Sequence, residues 1–321
     1  MTSHDVLNPD PEDSARSSLS LGFALLAGLT FCLIVLGALV RAYDAGLACP
    51  DWPLCYGEVI PNFNLEVAFE WGHRVLAAAI SMGLLGLTVA LVRHPLKRDR
   101  LRGRLIWTWL VLAIQVVFGA LTVWLRLAPW TVSVHLVLGN TFCLLLLWTA
   151  RDLAEESRSV RASEPLPSAF APLAFAVTLC VFLQMVLGGW VSSNYAGLAC
   201  THFPSCNGQQ WVPTLQGLVG VQILHRFNGF LLLAGYGALA WLTLDRGRLG
   251  RFAMLGFGLV LAQIVVGAAN VWLRLPVAVT ALHSAVAAAI VLVTAMCVRD
   301  LIRAGVVYAK PAAQGRVAEF R

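Results

Sequence analysis

The chain has 321 residues, of which 59% are hydrophobic and only 12% charged, and its mean hydropathy is +0.75. A soluble domain carries about twice that share of charged residues, so the composition excludes one and points to a membrane protein. The formal charge of +6 would suggest an anionic partner such as nucleic acid, but the placement of the basic residues gives the charge another meaning.

Eight apolar stretches, each long enough to cross a hydrocarbon core about 30 Å thick, follow one another along the chain. They run over Leu19–Val40, Trp71–Val92, Leu105–Leu125, Trp130–Ala150, Phe170–Val191, Leu218–Leu244, Phe252–Leu273 and Val277–Val298. The polar, acidic-leaning segment before the first stretch has no basic n-region and no small-residue cleavage site, so that span is predicted to be a retained helix. An even number of spans places both termini on one side. Tail 1–18, linkers 93–104, 151–169 and 245–251, and tail 299–321 hold eighteen of the twenty-three Lys and Arg. The opposite loops keep only Arg41, Arg74, Arg126, Arg226 and Arg274, which predicts cytoplasmic termini.

The chain repeats itself. Ala45-Gly46-Leu47-Ala48-Cys49 returns as Ala196-Gly197-Leu198-Ala199-Cys200, and Cys55 as Cys206, displaced by 151 residues; His73-Arg74 returns as His225-Arg226 after 152. Gln115-x-x-x-Gly119-Ala120 and Trp124-Leu125-Arg126-Leu127 return as Gln263-x-x-x-Gly267-Ala268 and Trp272-Leu273-Arg274-Leu275 after 148, and His135 as His283 by the same step. Each half supplies four spans, so both halves enter the membrane in the same direction. The predicted fold is all-α and integral to the membrane: two pseudo-symmetric four-helix bundles related by a parallel internal repeat, residues 19–150 and 170–298, joined by linker 151–169 with Pro165 and Pro167.

His73, His135, His225 and His283 open spans 2, 4, 6 and 8, roughly 5–10 Å below the outer boundary at 1.5 Å per residue. Within each half the two lie on parallel helices of one bundle, which lets two imidazoles face each other across a planar macrocycle. An intramembrane histidine is a site candidate by default, although a single one is often a helix-to-helix hydrogen bond. Duplicated pairs at matched depth favour ligation. Haem is favoured over zinc or copper because neither pair has thiolate or carboxylate partners at metal-site spacing, and the absence of Cys-x-x-Cys-His excludes covalent attachment.

Arg74 and Arg226 follow their histidines and admit two readings: contact with haem propionates, or snorkelling to the interface. Arg41, Arg126 and Arg274, at outer helix ends, admit the same two. Cys32, Cys143, Cys180 and Cys297 lie within spans and read as small buried hydrophobes. Cys49/Cys55 and Cys200/Cys206 sit in outer loops on the side that is oxidising in bacteria, where a disulfide is permitted. For the first pair a loop staple and a redox-active pair remain equally open; for the second the staple is favoured.

The halves also differ. Glu70 aligns with Gln222, Asp51 with His202, Asp44 with Tyr195 and Arg41 with Ser192. Divergence of this kind suggests divided labour, with only the first half keeping a carboxylate one turn from its histidine. Glu70 is therefore a candidate for stabilising charge on a substrate or accepting a proton, against the reading of a helix-start acid that complements the dipole.

Taken together, the segment Ala45 to Cys55, Glu70-Trp-Gly-His73-Arg74, His135, the second cysteine pair, His225-Arg226 and His283 resemble the haem A synthase family across nearly the whole chain. That resemblance implies oxidation of the C8 methyl of haem O to a formyl group, by two successive hydroxylations with oxygen from water and loss of water from the geminal diol. It implies that His225 and His283 hold a resident haem b, that His73 and His135 hold the substrate haem O, and that Glu70 is the catalytic carboxylate. Cys49 and Cys55 match the family's first-loop pair, and Cys200 and Cys206 its structural disulfide. The implied setting is a bacterial cytoplasmic membrane with the haem sites near the outer face.

Two other functions share the four histidines: a dihaem b-type cytochrome exchanging electrons with quinone, which would not need Glu70, and a haem transporter, which would need an exchangeable site and a driving segment. No flavin or nicotinamide fingerprint occurs, so electrons would leave through a partner or a quinone. The electron acceptor, the oligomeric state and docking to the haem O synthase are open at this level.

Overall fold

A computed structural model describes residues 11–93, 99–155 and 170–308. It is helical throughout, with α1 (Pro11–Ala42), α2 (Leu65–Arg93), α3 (Asp99–Trp124), α4 (Pro129–Glu155), α5 (Phe170–Ser193), α6 (Gly217–Leu242), α7 (Gly247–Trp272) and α8 (Val277–Tyr308), plus a short 3-10 turn at Ala196–Leu198. All eight are long and apolar enough to cross a membrane, and the protein is a multi-pass membrane protein. Residues 1–10, 94–98, 156–169 and 309–321, which include His4, His94, Pro165 and Pro167, lie outside the described residues.

The helices outrun the apolar spans, mostly at the charged end. α4 continues through Arg151 to Glu155 and α8 through Arg299 to Tyr308, segments expected to be linker and tail. Their charges explain the extension. Arg299 is only 4% exposed and pairs with Asp152 at 2.6 Å and Glu155 at 2.9 Å. Arg104 of α3 joins Asp152, Arg151 pairs with Glu155, and Arg248 of α7 pairs with Glu155 and Asp300. Basic residues that read as a topology signal are in part a lattice tying α3, α4, α7 and α8 together.

One hydrophobic cluster is built from α1 to α4 around Phe23, Leu84 and Leu146, and another from α5 to α8 around Phe170, Tyr236 and Leu239. In the first, α1 packs on α2 and α4, and α3 on α4. In the second, α5 packs on α6, α6 on α7 and α7 on α8. The two groups meet along α1, α4, α5 and α8. There Gly189 of α5 lies against Ser133 of α4, where a Cβ would come within 3.2 Å of the hydroxyl, so a small residue sets the approach.

The repeated motifs pack on each other. The turn after α3 carries Arg126 and Leu127 at φ 50° and 59°, and the turn after α7 carries Arg274 and Leu275 at 62° and 61°. Each left-handed pair throws its leucine over a loop glycine: Leu127 over Gly46 and Leu275 over Gly197, where a Cβ would meet the side chain at 3.2 and 3.0 Å. Ala-Gly-Leu-Ala-Cys and Trp-Leu-Arg-Leu therefore recur together because they are two sides of one contact.

Candidate functional site

Each of the four histidines stands edge-on against a glycine of a neighbouring helix. A Cβ on Gly37 of α1 would lie 3.1 Å from His73 Cε1, on Gly119 of α3 3.2 Å from His135 Cε1, on Gly188 of α5 3.2 Å from His225 Cε1, and on Gly267 of α7 3.1 Å from His283 Cε1. Carbon atoms prefer about 3.5 Å or more, so a larger residue would displace the ring. Gly119 and Gly267 belong to the sequence repeat. Gly37 and Gly188 escaped the sequence reading although they obey the same 151-residue step.

The Nδ1 atoms of all four rings are buried without a hydrogen-bond partner. A histidine serving as a helix-to-helix hydrogen bond would use either ring nitrogen, and at these rings Nδ1 makes no such bond. Among the described residues the one side-chain contact to any of these ring nitrogens is Gln115 Nε2, 3.3 Å from His135 Nε2. Its counterpart Gln263 turns instead to the His283 carbonyl at 3.0 Å.

In the second half the rings of His225 and His283 have centroids 6.4 Å apart and planes inclined at 58°. Two imidazoles on opposite sides of one metal, each bonded at about 2 Å, place their centroids about 6 Å apart, so the pair fits bis-histidine ligation. No group of three or more His, Cys, Asp or Glu side chains placed to hold a metal ion occurs among the described residues. Two imidazoles with no third side-chain ligand suit an iron that brings its own equatorial nitrogens, as haem does.

Above these rings the first half builds a charged knot. Glu70 is 5% exposed; its Oε2 accepts from the Cys49 amide at 2.8 Å, and its Oε1 pairs with Arg74 at 2.5 Å. It lies beyond the first turn of α2, where Glu66 sits, so the dipole reading belongs to Glu66. Arg74 also donates to the carbonyls of Asp51, Leu54 and Cys49 at 2.7, 2.6 and 3.2 Å. Arg226 does the same to His202, Ser205 and Cys200 at 2.7, 2.9 and 3.0 Å. Both arginines clamp a loop over the bundle mouth, and in Arg74 a propionate would have to use Nε or displace a carbonyl.

Both loops are closed by disulfides, Cys49–Cys55 and Cys200–Cys206. Asp51 braces the first, its carboxylate accepting from the Tyr56 and Gly57 amides at 2.6 and 2.8 Å. The Gly57 amide, with help from that of Tyr56, holds the Asp51 carboxyl below the usual carboxylate range. In the second half Gln222 replaces Glu70 and donates weakly to the Gly197 carbonyl at 3.3 Å, with its own carbonyl oxygen buried and unpartnered. Of the cysteines within spans, Cys143 and Cys297 are buried and Cys180 half-buried, but Cys32 is exposed on the outside of α1, contrary to expectation.

Two mismatched positions find each other. Arg41 donates to the Ser192 carbonyl at 2.9 Å and lies 3.6 Å over the Tyr195 ring, while the Tyr195 hydroxyl donates to Asp44 at 3.3 Å. At these four positions the divergence builds the junction between α1 and α5.

A profile of the cytochrome oxidase assembly protein family (COX15-CtaA) matches residues 22–295, from α1 into α8, taking in all four histidines and both disulfides. The chain belongs to that family. Among its relatives is a protein of Shewanella oneidensis named Heme A synthase, 29% identical over 82% of this chain and 90% of its own length. Proteins of the same name from Beijerinckia indica and Symbiobacterium thermophilum are each 28% identical, over 89% and 73% of this chain and 93% and 79% of their own lengths. As a cytochrome oxidase assembly family member, the chain keeps its distinguishing features, the knot at Glu70 and the glycine-backed imidazoles, inside the matched region.

Proposed function

We propose that this protein is a haem A synthase, an oxidoreductase that converts the C8 methyl of haem O to a formyl group in the bacterial cytoplasmic membrane, with its histidines toward the outer face and both termini cytoplasmic. The observation that carries the reading is the buried Glu70–Arg74 pair one turn from His73, replaced by Gln222 where the second half has an otherwise matching arrangement. Support comes also from the name Heme A synthase shared by relatives aligned over most of the chain.

In this reading His73 and His135 hold the substrate and His225 and His283 a resident haem b. The haem b supplies one-electron transfer when bound. Each of two oxidations takes up one water and releases two electrons and two protons, giving a hydroxymethyl and then a geminal diol that loses water. Glu70 receives protons released near His73, and its partners Arg74 and the Cys49 amide stabilise the carboxylate while it waits. Arg74 and Arg226, through their loop carbonyls, keep the two mouths covered, and the Cys49–Cys55 and Cys200–Cys206 bridges keep those loops short. Electrons leave through a partner or a quinone. Substrate arrives from the haem O synthase.

Pigments extracted from cells supplied with haem O and expressing the chain should contain haem A, whereas Glu70→Gln should accumulate haem O with the low-spin haem b spectrum intact. Absence of haem A from the wild-type extract under aeration refutes the assignment.

A further inference from the structure

The two halves differ in how their outer helices meet. α6 and α7 pack along each other, and the side chains show how: the Tyr236 ring of α6 lies over Gly256 of α7, where a Cβ would be 2.1 Å away, and Gly237 of α6 admits the edge of Phe257 at 3.5 Å. Nearer the loops an aromatic row seals the seam. Phe230 of α6 lies against Phe203 of the disulfide loop, and Phe203 against Trp272 of α7, each with centroids 6.1 Å apart.

Each of these devices is altered at the aligned positions of the first half. Leu84 and Thr108 stand for Tyr236 and Gly256, Leu85 and Trp109 for Gly237 and Phe257, and Ala78 for Phe230. Glycines that admitted a facing ring are gone, so bulk opposes bulk. Trp52 still meets Trp124 at 6.0 Å, but the row ends there because Ala78 brings no ring. Among the described residues α2 and α3 do not pack along each other; they touch near the charged end, where Trp109 Nε1 donates to Thr88 Oγ1 at 3.1 Å. Neither packs on the second half; at the positions compared above, Ala78 is exposed on the outer part of the seam while Leu84 and Thr108 are buried beneath it.

We propose that the cleft between α2 and α3 is a lateral passage through which a membrane-dissolved iron porphyrin reaches His73 and His135 and the product leaves, while the sealed α6–α7 seam keeps its counterpart resident. This deepens the synthase reading and rests on it. The loop route above His73 is closed by the Arg74 clamp and the Cys49–Cys55 bridge, which leaves the bilayer as the source. Gln115 reaches His135 Nε2 at 3.3 Å, whereas its counterpart Gln263 donates to the His283 carbonyl at 3.0 Å and leaves that ring free of it.

The test exchanges the two seams. Full-length protein is mixed with phosphatidylcholine vesicles carrying haem O, and the absorbance change abolished by His73→Ala reports uptake. Ala78→Phe should slow uptake about tenfold, as a narrowed gate does, and reach the same final occupancy. Phe230→Ala should let haem b labelled with iron-57 exchange out of the second half, which the wild type retains. Uptake at the wild-type rate in Ala78→Phe together with full retention in Phe230→Ala overturns the passage while leaving the synthase reading intact. Loss of final occupancy in Ala78→Phe also overturns it, since a gate changes rates and not endpoints. A wild type that takes up no haem O at all refutes the synthase reading itself.

Discussion

At the residue scale the site is defined as much by what is small as by what is reactive. The four histidines were legible because a polar ring in an apolar span is costly and these recur at fixed steps. Their glycines were not, because glycine is common in membrane helices and its role appears only once a facing side chain is known. The arginine clamps were hidden for a different reason: their acceptors are main-chain carbonyls of Asp51, Leu54, His202 and Ser205, which leave no mark in a side-chain pattern. Adding one methyl opposite an imidazole forces a shift costing about 1–3 kcal/mol. Gly188→Ala and Gly267→Ala should each weaken the low-spin haem b band of purified protein, while Gly28→Ala, which meets nothing within 4 Å, should leave it unchanged. Equal spectra in all three would contradict the cradle.

At the scale of elements, the spans were read from apolar length alone and the structure reproduces all eight. Their charged extensions were missed because Arg299, Asp152 and Glu155 pair across different helices, at sequence separations that no local pattern encodes. Removing a partner from a buried ion pair costs about 3–5 kcal/mol, and the remaining pairs of Arg104, Arg151 and Arg248 should hold the loss toward the lower end. Arg299→Met should therefore lower the midpoint of thermal unfolding in detergent, and an unchanged midpoint would show that the lattice adds nothing.

The first loop offers a test in acid. The Asp51 carboxyl titrates below its unfolded value, so its grip on the Tyr56 and Gly57 amides is fully present above about pH 4 and lost as pH falls through the depressed folded value. Reduction of Cys49–Cys55 by a phosphine should accelerate only below that range, and Asp51→Asn should abolish the acid step. An acceleration that begins near neutrality would assign it to another group.

At the scale of the whole molecule, the repeat dictated eight helices in two sets, and the departures from it carry the specificity. Glu70 against Gln222 distinguishes the chemistry in the proposed reading, an ion pair with Arg74 standing where the second half has an amide. Arg41 and Asp44 against Ser192 and Tyr195 serve the junction. Ala78 against Phe230 distinguishes a parted pair of helices from a sealed one. Only the first was legible as chemistry beforehand, since the other two require knowing which surfaces meet. The most direct measurement is the pigment content of purified full-length protein from cells supplied with haem O, comparing wild type with His73→Ala/His135→Ala. Wild type should carry haem b together with haem O or haem A, and the double variant haem b alone with an undisturbed low-spin spectrum. Haem O or haem A retained by the double variant, or haem b lost from it, would contradict the assignment of one porphyrin to each half.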